Sequence, residues 1–322
     1  MPLMKKGKRA EQQKPETLEE ILDTIPQEFL SIGIDHYSPT QLNCSIANWA
    51  YKYGALTQEQ RRGLKRNINM YFGTTIGEIT QLMFCDEMWT MASQVAPNKQ
   101  KLSWDQALEY LDEMMKKYEP WDEKDKEKFE AIKHLAPDYL KQSYEGWKSL
   151  NMQSPIIAER NVRLKFNYVN CLGRIDGEDP LMLLEQKCRL PKLGKVKKDG
   201  TRSVISTKLP EDNPLISHAR QTAFYHFCTK KRPFLLYVND KEYKIFDSSN
   251  CDLLTKEAME EHLEHYKRQA RLRDRAILRS QGTVPGLLRD LDPDWEHNFE
   301  WDIGEDNAAH AKQLFKEAQC NE

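Results

Sequence analysis

The stretch Gly173-Arg174-Ile175-Asp176-Gly177-Glu178-Asp179-Pro180-Leu181-Met182-Leu183-Leu184-Glu185-Gln186-Lys187 decides how this chain is read. Four apolar residues, Leu181 to Leu184, run straight into a charged triplet, as a buried strand does where it emerges at a site. In an extended strand Glu185 and Lys187 project from one face and Gln186 from the other. A carboxylate and an ammonium then share one small patch. Asp176, near the end of a preceding strand across the turn Gly177-Glu178-Asp179-Pro180, brings a second carboxylate to it. Two hard oxygen ligands suit Mg²⁺ or Mn²⁺, which keep waters and take their remaining oxygens from a phosphate. Such an ion lowers the pKa of a bound water, while Lys187 can orient that water or stabilise a pentacovalent phosphate. The plain alternative is a surface strand pair beside a turn aspartate, in a chain of which 30% is charged.

Working outward, Val162, Leu164, Phe166 and Tyr168 alternate with polar residues, the period of a half-buried strand. Downstream, residues 214–228 read as a helix, 234–238 and 243–246 as a hairpin across Asn239-Asp240, and 255–280 as a long helix with a basic C-terminal half. Upstream the pattern is helical. Ser38 caps and Pro39 suits the first turn, with Gln41 completing a capping box, of a helix running to about Tyr53. Further helices are expected over 58–71 and 75–92. From 103 to 151 Trp104, Leu108, Leu111 and Met115 share a stripe, with interruptions at Pro120 and Pro137. This marks a helical insertion at about 95–152, serving as a lid or a packing layer. Residues 1–16 read as a disordered basic arm and 283–322 as a tail of low regularity. The fold class expected is α/β: a central mixed β-sheet flanked by helices.

The chain has 322 residues, 39% of them hydrophobic, with 7 Trp and 13 Tyr, so a sizeable core is available and wholesale disorder is excluded. A formal charge of −2 offers no global attraction to polyanions, and nucleic-acid contact must come from local basic patches. Two exist, over 187–208 and 267–279. Arg189 and Lys192 of the first lie nearest the Glu185 triplet in sequence and are candidates for gripping a phosphate backbone. The arginines of the second complement the dipole of their own helix or meet DNA or a partner. Seven cysteines, an odd number, form no C-x-x-C pair, which reads as free thiols in a reducing compartment. There is no apolar run long enough for a membrane span and no apolar leader. The expectation is an intracellular protein, cytosolic or nucleoid-associated, neither secreted nor held in a membrane.

Gly173-Arg174-Ile175-Asp176 followed by Leu183-Leu184-Glu185-Gln186-Lys187 resembles the PD-(D/E)XK nuclease motif in its RecB-like, phage exonuclease-like branch. Gln221-Thr222-Ala223-Phe224-Tyr225 matches that branch's helical Q-x-x-x-Y signature, whose spacing places Gln221 and Tyr225 on one helix face. Ser38-Pro39-Thr40-Gln41-Leu42 and Trp49-Ala50-Tyr51-Lys52-Tyr53 resemble its opening helix, so the likeness spans about Tyr37 to Phe246 in the correct order. The resemblance implies a restriction-endonuclease-like core over about 17–282 and a metal-dependent DNA nuclease, an exonuclease of recombination, repair or viral DNA processing. It implies Asp176 and Glu185 as metal ligands, Lys187 assisting the water, the Gln186 carbonyl as a further ligand, and Gln221 and Tyr225 positioning DNA, single- or double-stranded. Where the branch carries a metal-binding His after its G-x-x-x, this chain has Gly73-Thr74-Thr75-Ile76-Gly77-Glu78. The resemblance to the phage lambda exonuclease type, with an acid on that helix, makes Glu78 the best substitute; the alternative is a solvated helix residue. The branch's iron–sulfur variant needs a C-terminal cysteine cluster; only Cys251 and Cys320 lie there, so no cluster is expected and Cys44 reads as a core thiol. An endonuclease, a catalytically silent DNA-binding subunit and an RNA-cleaving enzyme remain open. So do a homo-oligomer and a single-strand-binding or recombination protein as partner. His218, one turn before Gln221, faces the same groove or caps, and Glu159 occupies a strand position where the family often has an acid.

Overall fold

Leu183 and Leu184 are neighbours on one strand and both fully buried, yet they belong to different hydrophobic clusters. A strand sends alternate side chains to opposite faces, so this one must lie in a sheet covered on both sides. The computed structural model, which describes residues 24–64, 67–89, 95–99, 101–196, 202–297 and 300–320, has that architecture. Its strands are β1 (His36–Tyr37), β2 (Glu87–Trp89), β3 (Val95–Pro97), β4 (Ile157–Lys165), β5 (Asn170–Glu178), β6 (Met182–Cys188), β7 (Lys192–Val196), β8 (Arg202–Ile205), β9 (Arg232–Val238) and β10 (Tyr243–Phe246). The main sheet has the order β10-β9-β6-β5-β4-β2-β3, with β1 parallel to the start of β5. It is mixed: β4, β5 and β6 run antiparallel, β6 and β9 parallel.

On one face lie α1 (Gln27–Ser31), α2 (Pro39–Asn43), α3 (Ile46–Trp49), α9 (Ile216–Thr229), α10 (Lys256–Arg279), α11 (Val284–Arg289) and α12 (Glu305–Cys320), packed with Val162, Ile175 and Leu183. The other face is covered by α5 (Ile68–Phe84), α6 (Trp104–Lys116), α7 (Glu123–Ile132) and α8 (Ala136–Ser149), packed with Ala158, Leu184 and Leu236. The helical insertion is thus the second wall of the sheet. Burying a Leu is worth about 1.5–3 kcal/mol, and a one-residue slip of β6 would exchange every side chain between the walls. Leu183 and Leu184 therefore help set the face on which Glu185 appears.

Several boundaries differ from expectation. The helix from Ser38, whose hydroxyl accepts the Gln41 amide at 3.2 Å, stops at Asn43 and resumes as α3 and a π-helical turn, Ala50–Ala55. A second cap, Ser45, accepting from the Asn48 amide at 3.2 Å, interrupts it. The helices expected over 58–71 and 75–92 are instead α4 (Gln58–Gly63) and the continuous α5, which is capped by Asn67. In α5 Ile68, Phe72, Ile76, Ile79 and Met83 form one buried stripe, whose packing outweighs the poor helix propensity of Gly73-Thr74-Thr75. The basic segment after β6 carries the two-stranded sheet β7-β8; Lys197 and Lys198 lie outside the described residues, as does the arm at 1–16. The supposed irregular tail contains α11 and α12, and Leu287, Leu288, Trp301, Ile303, Ala311 and Phe315 join the core.

Within the second basic patch, Arg273 is wholly buried. It donates to the carbonyls of Gln41 at 2.9 Å and Cys44 at 2.8 Å and lies 5.4 Å over the Trp49 ring. Its charge ties α10 to α2, whereas Arg268, Arg271, Arg275 and Arg279 are exposed. No helix among the described residues is long and apolar enough to cross a membrane.

Candidate active site

Strands β5 and β6 pair only at Gly177 with Leu184 and Glu178 with Leu183. The next positions, Asp176 and Glu185, flank the opening where the strands part. There the Gln186 amide donates to Asp176 Oδ2 at 2.7 Å, so the carboxylate replaces the missing ladder bond. Glu185 is 2% exposed, and its Oε1 accepts from Lys187 Nζ at 2.5 Å. Lys187 also donates to Gln221 Oε1 at 3.2 Å, and Gln221 Nε2 to the Tyr225 hydroxyl at 2.8 Å. The structure thus joins five sequence candidates, Asp176, Glu185, Lys187, Gln221 and Tyr225, through β5, β6 and α9.

Two carboxylates and one ammonium leave one negative charge in excess, and burial makes that excess costly. Burial, reinforced by Asp176, pushes the Glu185 carboxyl up to about 8. Burial also raises Asp176 against the pull of Lys187 and the Gln186 amide. Burial opposes the charge on Lys187, but Glu185 and Asp176 outweigh it and hold the ammonium above its ordinary range. The second Glu185 oxygen, Oε2, is buried with no hydrogen-bond partner. An orphaned carboxylate oxygen beside a second carboxylate is where a hard divalent cation would satisfy both, so these residues fit one.

Glu78 and the opposite-strand acid Glu159 complete the surroundings differently from expectation. Among the described residues no three His, Cys, Asp or Glu side chains stand close enough to cage a metal. Glu78 is half-buried on α5 with no hydrogen bond or ion pair among the described residues, and neighbours Glu159 electrostatically. The acid directly across from Asp176 is Glu159, between the registered pairs Ala158 with Gly177 and Arg160 with Ile175. Its φ of +60° turns it out of the regular pleat. Gln81 Nε2 donates to Glu159 Oε1 at 2.8 Å and to the Asp176 carbonyl at 3.0 Å, and Arg174 Nε meets Glu159 Oε2 at 2.5 Å. Gln81 and Arg174 escaped the sequence reading, although Gln81 lies one helical turn beyond Glu78.

Gln186 points to the insertion side, where its Oε1 accepts from Ser143 Oγ at 2.8 Å and Trp147 Nε1 at 2.6 Å. Ser143 also shares a hydrogen bond with Thr80 of α5 at 2.7 Å. The backbone that meets Asp176 is therefore held from behind by α8, a role no local pattern in residues 136–149 signals. Tyr225 is 2% exposed and supports Gln221 from below the surface; a buried ring does not itself reach a nucleic-acid strand. Arg189 lies near His218, whose ring, bonded to the Tyr237 hydroxyl at 2.6 Å, is pushed down to about 3 by burial, Lys187 and Arg189, and is neutral. Lys192 is exposed on β7, with Lys128 of α7 as an electrostatic neighbour. Cys44 is half-buried, its thiol directed to the Thr40 and Gln41 carbonyls at 3.3 Å.

The fold and site define an α/β protein with an acidic, lysine-bearing centre at a parting of antiparallel strands. No family model, no curated protein and no solved structure compared with this chain matches it.

Proposed function

We propose that this chain is a divalent-metal-dependent deoxyribonuclease, an exonuclease acting in recombination, repair or viral DNA processing, on a restriction-endonuclease-like core. The observation that carries the reading is the orphaned Glu185 Oε2, buried beside Asp176 while Lys187 is held at the same opening. Mg²⁺ or Mn²⁺ would be held by Asp176, Glu185 and the Gln186 carbonyl, with Glu78, beyond Glu159, as the further acid that the resemblance implies, and would supply an activated water and charge neutralisation at phosphorus. Lys187 has three donors, two of them taken by Glu185 and Gln221. The third is free for the attacking water or a phosphate oxygen as charge builds. Because Lys187 stays protonated, it acts as a fixed cation rather than a base. Gln221, tethered by Tyr225, aims it, and Gln186, anchored by Ser143 and Trp147, sets the Asp176 contact. Arg189, a neighbour of His218 and Tyr237, would grip the strand, and Lys192, farther along on β7, would act at a more distant phosphate.

The test is digestion of end-labelled linear and of circular DNA with Mg²⁺ or Mn²⁺, comparing the native protein with Asp176→Ala and Lys187→Ala. Activity on linear DNA alone, lost in both variants, is the expected result. Nicking of circles would make it an endonuclease, and equal activity in the variants would remove the assignment.

A further inference from the structure

Arg220 adjoins Gln221 on α9, but about 100° further round the helix, and its neighbours are on α10. The two helices are clamped by Asn43, whose Nδ2 donates to the Ser217 carbonyl of α9 at 3.1 Å and to the Tyr266 hydroxyl of α10 at 2.9 Å. Arg220 stands one turn from Ser217, and His262 one turn from Tyr266, so both flank this seam. Arg220 is half-buried, with no ion pair or hydrogen bond among the described residues, and its Nε is shut off from solvent. His262 is 6% exposed, and its Nε2 is likewise buried without a partner.

His265 and Arg268 stand beside them. Burial comes first in depressing Arg220, His262 and His265, the last to about 4; Arg268 adds to it on Arg220 against Tyr266, Arg220 adds to it on His262, and both arginines add to it on His265. The acids of this part of α10 compensate only in part: Glu261 acts against the cations on His262, Glu261 and Glu264 share a shallow hollow with Arg268, and neither pairs with Arg220 among the described residues. Glu261 and Glu264 are exposed, and Glu264 is held by Lys267 at 2.7 Å. A half-buried guanidinium without a counter-ion is costly, and two orphaned polar nitrogens at one seam are unusual in a folded protein. An anion removes the first cost directly, and the second once the His262 ring takes up a proton against it. Among anions, an oxyanion with several acceptor oxygens matches a forked guanidinium.

We infer that the seam between α9 and α10 is an oxyanion site that takes a phosphate group through Arg220, with His262 and Arg268 beside it. The phosphate is either one of the bound strand, which rests on the nuclease reading, or free inorganic phosphate, which does not. In the first case Gln221 and Arg220, adjacent on α9, would face two parts of one strand: Gln221 steadies Lys187 at the scissile group while Arg220 holds a phosphate further along.

The full chain is tested in EDTA by fluorescence anisotropy with labelled single-stranded and duplex DNA over a range of salt, and by thermal unfolding with and without inorganic phosphate. For a strand phosphate, Arg220→Gln weakens DNA binding about tenfold and lowers the log–log salt slope by about 1, and Arg220→Lys restores the slope. For free phosphate, added phosphate raises the Tm of the native protein but not of Arg220→Gln, with DNA binding unchanged. If Arg220→Gln fails to fold, Arg268→Gln takes its place with the same expected directions. Unchanged DNA affinity, salt slope and phosphate response overturn the site. That outcome beside a native protein whose cleavage is lost in Asp176→Ala sinks the oxyanion site alone. A native protein that cleaves nothing, yet loses its phosphate response on Arg220→Gln, sinks the nuclease reading alone.

Discussion

The Gln186 amide meets Asp176 Oδ2 at 2.7 Å where β5 and β6 cease to pair. A side chain thus closes the hydrogen bond that the sheet gives up, and the gap left between the strands is lined by Asp176 and Glu185.

Removing the charge of either carboxylate, by Asp176→Asn or Glu185→Gln, should lower cleavage of end-labelled DNA by about two to three orders of magnitude, the scale of losing one preorganised electrostatic contact. Lys187→Met should do the same with metal affinity little changed, because the ammonium is not a ligand. Calorimetric titration with Mn²⁺ separates the two effects; a Lys187→Met variant that loses Mn²⁺ binding would contradict this division.

Without metal, the site should make stability depend on pH. The Glu185 carboxyl titrates at about 8 in the fold against 4.5 for an ordinary glutamate. A raised folded value means that the folded chain holds the proton more tightly. The contribution is complete below 4.5 and is lost as pH rises through 8. Thermal unfolding in EDTA should therefore show Tm falling across that window, by about 2 °C per kcal/mol for a large domain. Glu185→Gln should flatten the fall, and saturating Mg²⁺ should offset it at the alkaline end. A native protein whose Tm is level across the window would refute the burial argument.

Two glycines let the walls approach the sheet. A Cβ on Gly177 would stand 2.4 Å from Trp147 Cη2, and one on Gly173 2.5 Å from Tyr225 Cε1. Gly177→Ala should cost about 1–3 kcal/mol, the usual penalty of overpacking, read as a shifted urea midpoint. Gly173→Ala should lower kcat as well, since displacing Tyr225 loosens Gln221 and with it Lys187.

Trp147→Phe keeps the ring in the wall but removes one of two donors to Gln186 Oε1. A loss of about 1–2 kcal/mol is expected, with reduced Mn²⁺ affinity because the Gln186 backbone is less firmly placed. An unaltered affinity would confine Trp147 to packing.

Arg273→Met should destabilise by about 3 kcal/mol or more, as the Gln41 and Cys44 carbonyls lose their donor, and leave the salt dependence of DNA binding untouched. A reduced salt slope would instead make this buried arginine a phosphate contact.

Strands β4 to β6, the β9-β10 hairpin and helices α9 and α10 were all legible because their signals are local. Val162 to Lys165 alternate, although β4 begins earlier, at Ile157, and ends before the expected Phe166 and Tyr168; Leu181 to Leu184 are continuously apolar, and Thr255 caps its helix by accepting the Ala258 amide at 3.3 Å. Helix α5 was misdivided at Gly73-Thr74-Thr75 because propensity is a local quantity and the burial of Ile68, Phe72 and Ile76 is not. Helix α12 was missed for a similar reason: Ala311, Phe315 and Ala318 make a sparse stripe that gains meaning only against Trp295 and Trp301.

By itself the sequence determined which residues share a face. Glu185 and Lys187 point one way and Gln186 the other, and Gln221 lies above Tyr225, because pleat and helix impose those directions within a few residues. Which faces meet was decided by the tertiary structure. Glu159 rather than Glu78 came to lie across from Asp176, Ser143 and Trp147 came to hold Gln186, and Arg220 was left against α10 without a counter-ion among the described residues. Those partners are set by how segments far apart in the chain bury apolar surface together, a condition that no local period encodes.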